Sequence, residues 1–176
     1  VYLIQAPTLT ASSEVFCDTS SVVLTANTSN GVVNWYPTNV GVSSIATGNT
    51  FTTPVLNAST TYYIDATYLG CTTSSRVAVY ATMANPVITS VTNNALDCDA
   101  SDFVLNATAS EGIIDWYTTS TGGNSIAQGN SYTTPVLDST TTFYVDATQF
   151  GCTTPTRTPV VVTIPKPIIT SVSNAT

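Results

Sequence analysis

The chain repeats itself. Cys17–Pro86 aligns onto Cys98–Pro167 at a constant offset of 81 residues, with no gap and with about half the positions identical. Trp35 and Tyr36 fall on Trp116 and Tyr117, Gly48 and Asn49 on Gly129 and Asn130, and the run Thr52–Leu56 on Thr133–Leu137. Asp65, Ala66 and Thr67 fall on Asp146, Ala147 and Thr148, Gly70–Thr73 on Gly151–Thr154, and Arg76 on Arg157. Pro86–Val91 is echoed once more by Pro167–Val172. This predicts one domain over 1–85, a second over 86–166 and the start of a third over 167–176, in a parent chain with further repeats. The joints carry Pro86, Pro165 and Pro167 and are short, so they should be semi-rigid.

Each copy reads as all-β. Val22, Leu24 and Ala26 alternate with other residues, as do Phe103, Leu105 and Ala107. Period two marks a strand with one face buried. Val33 and Trp35 continue the pattern after a turn at Asn30 and Gly31, and Ile114 and Trp116 do so after Glu111 and Gly112. Tyr62, Ile64 and Ala66 alternate later, matched by Phe143, Val145 and Ala147, and a last strand carries Val77, Val79 and Ala81 or Val160, Val162 and Ile164. About seven short strands per copy, with an inward Trp on the third, predict tandem Ig-like or fibronectin-III-like β-sandwiches.

Composition narrows the function. Charged residues make up 7% of the chain and the net charge is −7, with Arg76, Arg157 and Lys166 the only basic residues. Nucleic acids and acidic lipid surfaces both need clustered Lys and Arg, so neither is an expected partner. No apolar run reaches 18 residues, so no membrane insertion is expected. With no His, the Ser-His-Asp and Cys-His mechanisms and most zinc enzymes fall away. Asp65 and Asp146 are carboxylates duplicated with their whole domains, which suits structure better than glycosidase chemistry. The chain is therefore read as no enzyme, with no cofactor.

The string Cys17, Val22–Ala26, Gly31–Tyr36, Gly48–Leu56, Thr60–Thr67 and Gly70–Thr72 resembles the Ig-like repeats of secreted Bacteroidota proteins, and it covers nearly the whole chain twice. That resemblance implies an extracellular or cell-surface location, type IX secretion, and long stalk-like adhesins of the gliding-motility kind. The same repeats serve as spacers in secreted hydrolases. Leu56, Thr60 and Tyr62 also have the spacing of a fibronectin-III tyrosine corner, although Phe143 replaces the Tyr in the second copy.

Four cysteines, Cys17, Cys71, Cys98 and Cys152, are expected to be oxidised in such a protein. Equal spacing suggests bonds within each copy, Cys17–Cys71 and Cys98–Cys152. Sandwich topology argues against this, because the turn before the second strand and the turn between the last two lie at opposite poles, roughly 25 Å apart. End-to-end stacking would instead pair Cys17 with Cys152 of the next repeat. Either scheme is worth about 4–5 kcal/mol per bond.

Candidate ligand sites are few. Asp97, Asp99 and Asp102 could take calcium at a junction, against a reading as solvated turn carboxylates. Trp35 and Trp116 have inward parity and read as core. Tyr36, Tyr63 and Asp65, with Asn34, have outward parity on one sheet, as do Tyr117, Tyr144 and Asp146, with Asp115. Such a face could bind glycans, or be a solvated surface. Asn27, Asn57, Asn106 and Asn174 match the N-glycosylation pattern by chance, whereas Ser139 in Asp138–Thr140 resembles the Bacteroidota O-glycosylation pattern. The expected function is structural: repeats in the stalk or filament of a surface adhesin, in contact with neighbouring repeats, with copies of itself a further candidate partner. The alternative is a spacer or glycan-binding module of a secreted enzyme.

Overall fold

The computed structural model describes residues 5–93 and 100–165. The chain divides into two compact units, Val1–Ala84 and Asn85–Thr176. The repeat that begins at Pro167 lies outside the described residues.

The first unit contains β1 (Leu9–Ser12), β2 (Glu14–Phe16), β3 (Val23–Thr28), β4 (Val32–Tyr36), β5 (Ala46–Thr47), β6 (Thr50–Thr52), β7 (Thr60–Tyr68), β8 (Cys71–Thr72) and β9 (Val77–Met83). They form two sheets. One has the order β1-β3-β6; the other has the order β2-β9-β7-β4-β5, with β8 also on β7. The first strand of the sandwich is split at Ser13. β1 pairs antiparallel with β3, whereas β2 pairs parallel with β9, Glu14 opposite Ala81 and Phe16 opposite Met83. The Ser13 hydroxyl accepts the Tyr80 N–H at 3.1 Å, which ties the crossover to β9.

The second unit repeats the plan with β10 (Ile88–Asn93), β11 (Val104–Ala109), β12 (Ile113–Tyr117), β13 (Ala127–Gln128), β14 (Ser131–Thr133), β15 (Thr141–Gln149), β16 (Cys152–Thr153) and β17 (Thr158–Val162). Its sheets are β10-β11-β14 and β13-β12-β15, with β16 and β17 both on β15. Among the described residues, no helix is long and apolar enough to cross a membrane.

The cores follow the period-two reading. Leu24, Val33, Trp35, Ile64 and Val79 are fully buried, as are Leu105, Trp116, Val145 and Val162. Trp35 stacks on Phe51 at 5.5 Å, and Phe51 meets the Tyr62 edge at 5.0 Å. Trp116, Tyr132 and Phe143 repeat the trio. What both copies keep at the corner position is a buried ring. Each indole N–H donates to a carbonyl, Gly48 O or Gly129 O, at 2.8 Å, so the largest core side chain leaves no buried donor unsatisfied.

Two repeated motifs acquire a physical meaning. Thr53 and Thr134 are buried, and their hydroxyls accept the N–H of Val22 and Phe103 at 3.0 Å. This locks the Thr-Thr-Pro-Val-Leu segment to the strand beside it. Gly31 has φ +83° and lies against the Thr67 carbonyl, where a Cβ would collide with backbone; Gly112 stands in the same relation to Thr148.

Candidate functional site: an arginine-capped outer face

Asn34, Tyr36, Tyr63 and Asp65 share one outer sheet face, because Asn34 lies opposite Asp65 and Tyr36 opposite Tyr63. Asp115, Tyr117, Tyr144 and Asp146 do the same in the second unit. The face is only partly open to solvent: Tyr36, Tyr63, Tyr117 and Tyr144 are half-buried. Asp65 and Asp146 are each only 6% exposed. Parity gives the direction of a side chain, and here other residues lie over it.

The cover comes from a slip in register. Ile64 faces Val77, but Thr67 faces Thr72, so Thr73–Arg76 oppose only Asp65 and Ala66. The surplus residues bulge out and fold Arg76 back over the sheet. Thr73 anchors the bulge, its N–H donating to Ala66 O at 3.0 Å and its hydroxyl accepting the Ala66 N–H at 3.3 Å. Thr154 repeats these contacts with Ala147.

Arg76 and Arg157 bind this face together, and reading the sequence did not assign them a role. The Arg76 guanidinium lies 3.3 Å from the Tyr36 ring centroid and donates to Thr38 O at 2.8 Å and Val42 O at 3.2 Å. Its Nε is 3.6 Å from Asp65 Oδ2. Arg157 lies 3.2 Å from the Tyr117 centroid, donates from Nε to Asp146 Oδ2 at 3.1 Å, and reaches Thr119 O at 2.9 Å and Gly122 O at 2.6 Å. The ring faces of Tyr36 and Tyr117 turned toward these guanidinium groups are thus already used. A signal for this existed: two of only three basic residues in the chain stand 81 positions apart.

Beside each arginine a cleft opens. One of ≈ 390 Å³ lies between residues 39–41 and 73–76 and includes Asp65. Its counterpart of ≈ 450 Å³ lies between 120–122 and 154–157 and includes Asp146.

Burial is the main reason why the hydroxyls of Tyr36, Tyr62 and Tyr117 hold their protons more tightly than an ordinary tyrosine. The Asp65 carboxylate adds to this at Tyr36, and Asp146 and Asp115 add to it at Tyr117, against the opposing pull of Arg76 and Arg157. A folded pKa raised above the ordinary 10.0 contributes stability that is complete below pH 10.0 and lost as pH rises through the folded values. A thermal melting series should therefore show Tm falling above about pH 10 rather than between pH 8 and 9.

The remaining sequence candidates sit apart from this face. Ser139 is exposed, and its hydroxyl donates to Asp138 Oδ1 at 3.0 Å. Asp102 is exposed, while Asp97 and Asp99 lie outside the described residues. Among the described residues, no group of three or more His, Cys, Asp or Glu side chains is placed to hold a metal.

The cysteines fall at the poles. Cys71 is opposite Tyr68 at one end of the nine-residue β7, and Ala81 is opposite Thr60 at the other. β2 runs alongside β9 and ends beyond Ala81, at Met83, so Cys17 is more than about 26 Å from Cys71 along the strands. Cys17 and Cys152 are disulfide-bonded, whereas Cys71 is a free thiol. Cys152 is 2% exposed, while Cys71 in the equivalent place is half-buried. Cys98 lies outside the described residues.

Two all-β sandwiches, each with an inward Trp, and no helix among the described residues define a tandem Ig-like protein. More specifically, the chain belongs to the family of CHU_C-associated Ig-like domains, whose model matches it twice, over residues 5–86 and 84–165. Domains of this class are typically non-catalytic structural modules, and an Ig-like domain with a disulfide suits an extracellular protein. No curated protein matches the chain. Among solved structures, it resembles the fibronectin(III)-like modules of Clostridium thermocellum CbhA, with a TM-score of 0.49 and 15% identity over 90% of this chain and 95% of that one. It also resembles extracellular domains 3–5 of Drosophila OTK, with a TM-score of 0.47 and 10% identity over 93% and 63%. For murine CEACAM1b the TM-score is 0.42, with 13% identity over 90% and 100%.

Proposed function

We propose that these repeats form part of the load-bearing stalk or filament of a long secreted adhesin on a bacterial surface. In this reading the protein is of Bacteroidota origin, is exported by type IX secretion, has no catalytic activity and touches mainly neighbouring repeats. The observation that carries it is the placement of two cysteines at opposite poles of one domain, too far apart to bond to each other. Cysteines so placed are suited to stapling consecutive repeats, and in this reading Cys17 pairs with Cys152. Support comes from the oxidation of both residues while Cys71 keeps its thiol.

The strand order suits the same task. In the first unit, the near-N-terminal β2 is parallel to the C-terminal β9. Force applied at the ends of the domain runs along both strands and loads their hydrogen bonds together in shear. An antiparallel pair pulled from one end would open one bond at a time.

Non-reducing peptide mapping of the intact chain should return a Cys17–Cys152 crosslink. A Cys17–Cys71 crosslink would overturn both the pairing and the chained-fibre reading. A second reading, a glycan-binding spacer of a secreted enzyme, is supported by the equivalent clefts beside Arg76 and Arg157.

A further inference from the structure

The two outer faces differ at one consequential position. In the first unit, Asn34 Nδ2 donates to Asp65 Oδ1 at 2.8 Å and to Thr67 Oγ1 at 3.2 Å. It joins the buried carboxylate to the neighbouring hydroxyl. In the second unit the corresponding residue is Asp115, directly opposite Asp146. A carboxylate has no proton to donate, so the contact that satisfies Asp65 Oδ1 has no equivalent. Asp146 Oδ1 is indeed buried without a hydrogen-bond partner, while Oδ2 is held by Arg157. Asp115 is oriented by Gln128, whose Nε2 donates to Asp115 Oδ1 at 2.9 Å.

Two carboxylates face each other across an antiparallel pair, where like charges destabilise. One guanidinium leaves them with a net charge of about −1. The Thr148 hydroxyl, which corresponds to that of Thr67, is 2.8 Å from Thr153 Oγ1. The donors available at this place are therefore all oxygen, two of them anionic, and one of these is nine-tenths buried with an unused lone pair. Hard cations prefer such a set.

We propose that Asp115, Asp146 and Thr148 bind a calcium ion in the second repeat, in the place taken by the Asn34 amide nitrogen in the first. Water completes the coordination shell, because calcium takes 6–8 oxygen ligands, roughly twice what the protein supplies. With so few protein ligands, the affinity belongs to the range of extracellular modules, about 10⁻⁴–10⁻³ M. The site lies on the sheet of β12 and β15, whereas Asp102 precedes β11 of the other sheet.

The test is a CaCl2 titration of the full 176-residue chain, read by amide chemical shifts in nuclear magnetic resonance. Amides of β12 and β15 around Asp115, Asp146 and Thr148 should move and saturate, with half-saturation at about 0.1–1 mM. D115N recreates the arrangement of the first repeat and should abolish the movement. N34D imports the acidic pair into the first repeat, so amides of β4 and β7 should then begin to move. Wild-type amides that stay fixed up to about 20 mM CaCl2, or D115N amides that move as far as those of the wild type, overturn the proposal.

Discussion

Replacing Arg157 with Met is expected to destabilise the second repeat by about 3–5 kcal/mol, the cost of leaving a buried charge without its partner. Asp146 would then have neither Oδ1 nor Oδ2 satisfied, since Oδ1 has no partner even in the intact protein. The Tyr117 ring would lose its cation, and the carbonyls of Thr119 and Gly122 would lose their donor. The same change at Arg76 should cost less, about 2 kcal/mol, because Asp65 keeps the Asn34 amide and its contact with Arg76 is already longer, at 3.6 Å. Hydrogen exchange resolved by peptide would show β15 and β17 losing more protection in R157M than β7 and β9 lose in R76M. Equal losses would mean that the orphaned oxygen of Asp146 is of no energetic consequence.

Replacing Trp35 with Ala is expected to cost the first repeat about 3–5 kcal/mol. The side chain is fully buried, its ring stacks on Phe51, and its N–H satisfies Gly48 O. Truncation opens a cavity between the two sheets and strips a part-buried carbonyl of its donor. A domain of about 80 residues has roughly 4–12 kcal/mol of stability to lose. Urea unfolding followed by circular dichroism should therefore show the first repeat melting near zero denaturant. Trp35→Phe keeps the stacking and much of the volume, and should cost well under half as much.

The buried half of each sandwich was legible because alternation maps directly onto the two faces of a strand. Leu24, Trp35, Ile64 and Val79 are buried where their parity puts them, and the duplicate at an offset of 81 confirms each assignment independently. The outer face was legible only in part. Parity correctly grouped Tyr36, Tyr63 and Asp65, but their cover depends on a two-residue slip between β8 and β9, and no local residue pattern announces such a slip. The split at Ser13 escaped for a similar reason: β1 and β2 read as one strand until their partners, β3 and β9, are seen to lie in different sheets. The exchange of Asn34 for Asp115 was visible in the alignment throughout. Its meaning required the knowledge that Asn34 donates to Asp65.

The hairpin that joins β7 to β8 turns through Leu69 and Gly70, with φ of 48° and 81°. Its counterpart turns through Phe150 and Gly151, with φ of 50° and 83°. Asn or Asp would suit the first of these left-handed positions far better than Leu or Phe. A turn set against its own local preference makes a poor nucleus. The long strands must find each other through their side chains before the reversal between them can settle. Folding should therefore start at the Trp-centred contacts of β4 with β7, and of β12 with β15, and reach the cysteine-bearing tips last. Cys152 would then be presented for oxidation only after the core around it had formed, an order of events that guards against mispaired thiols.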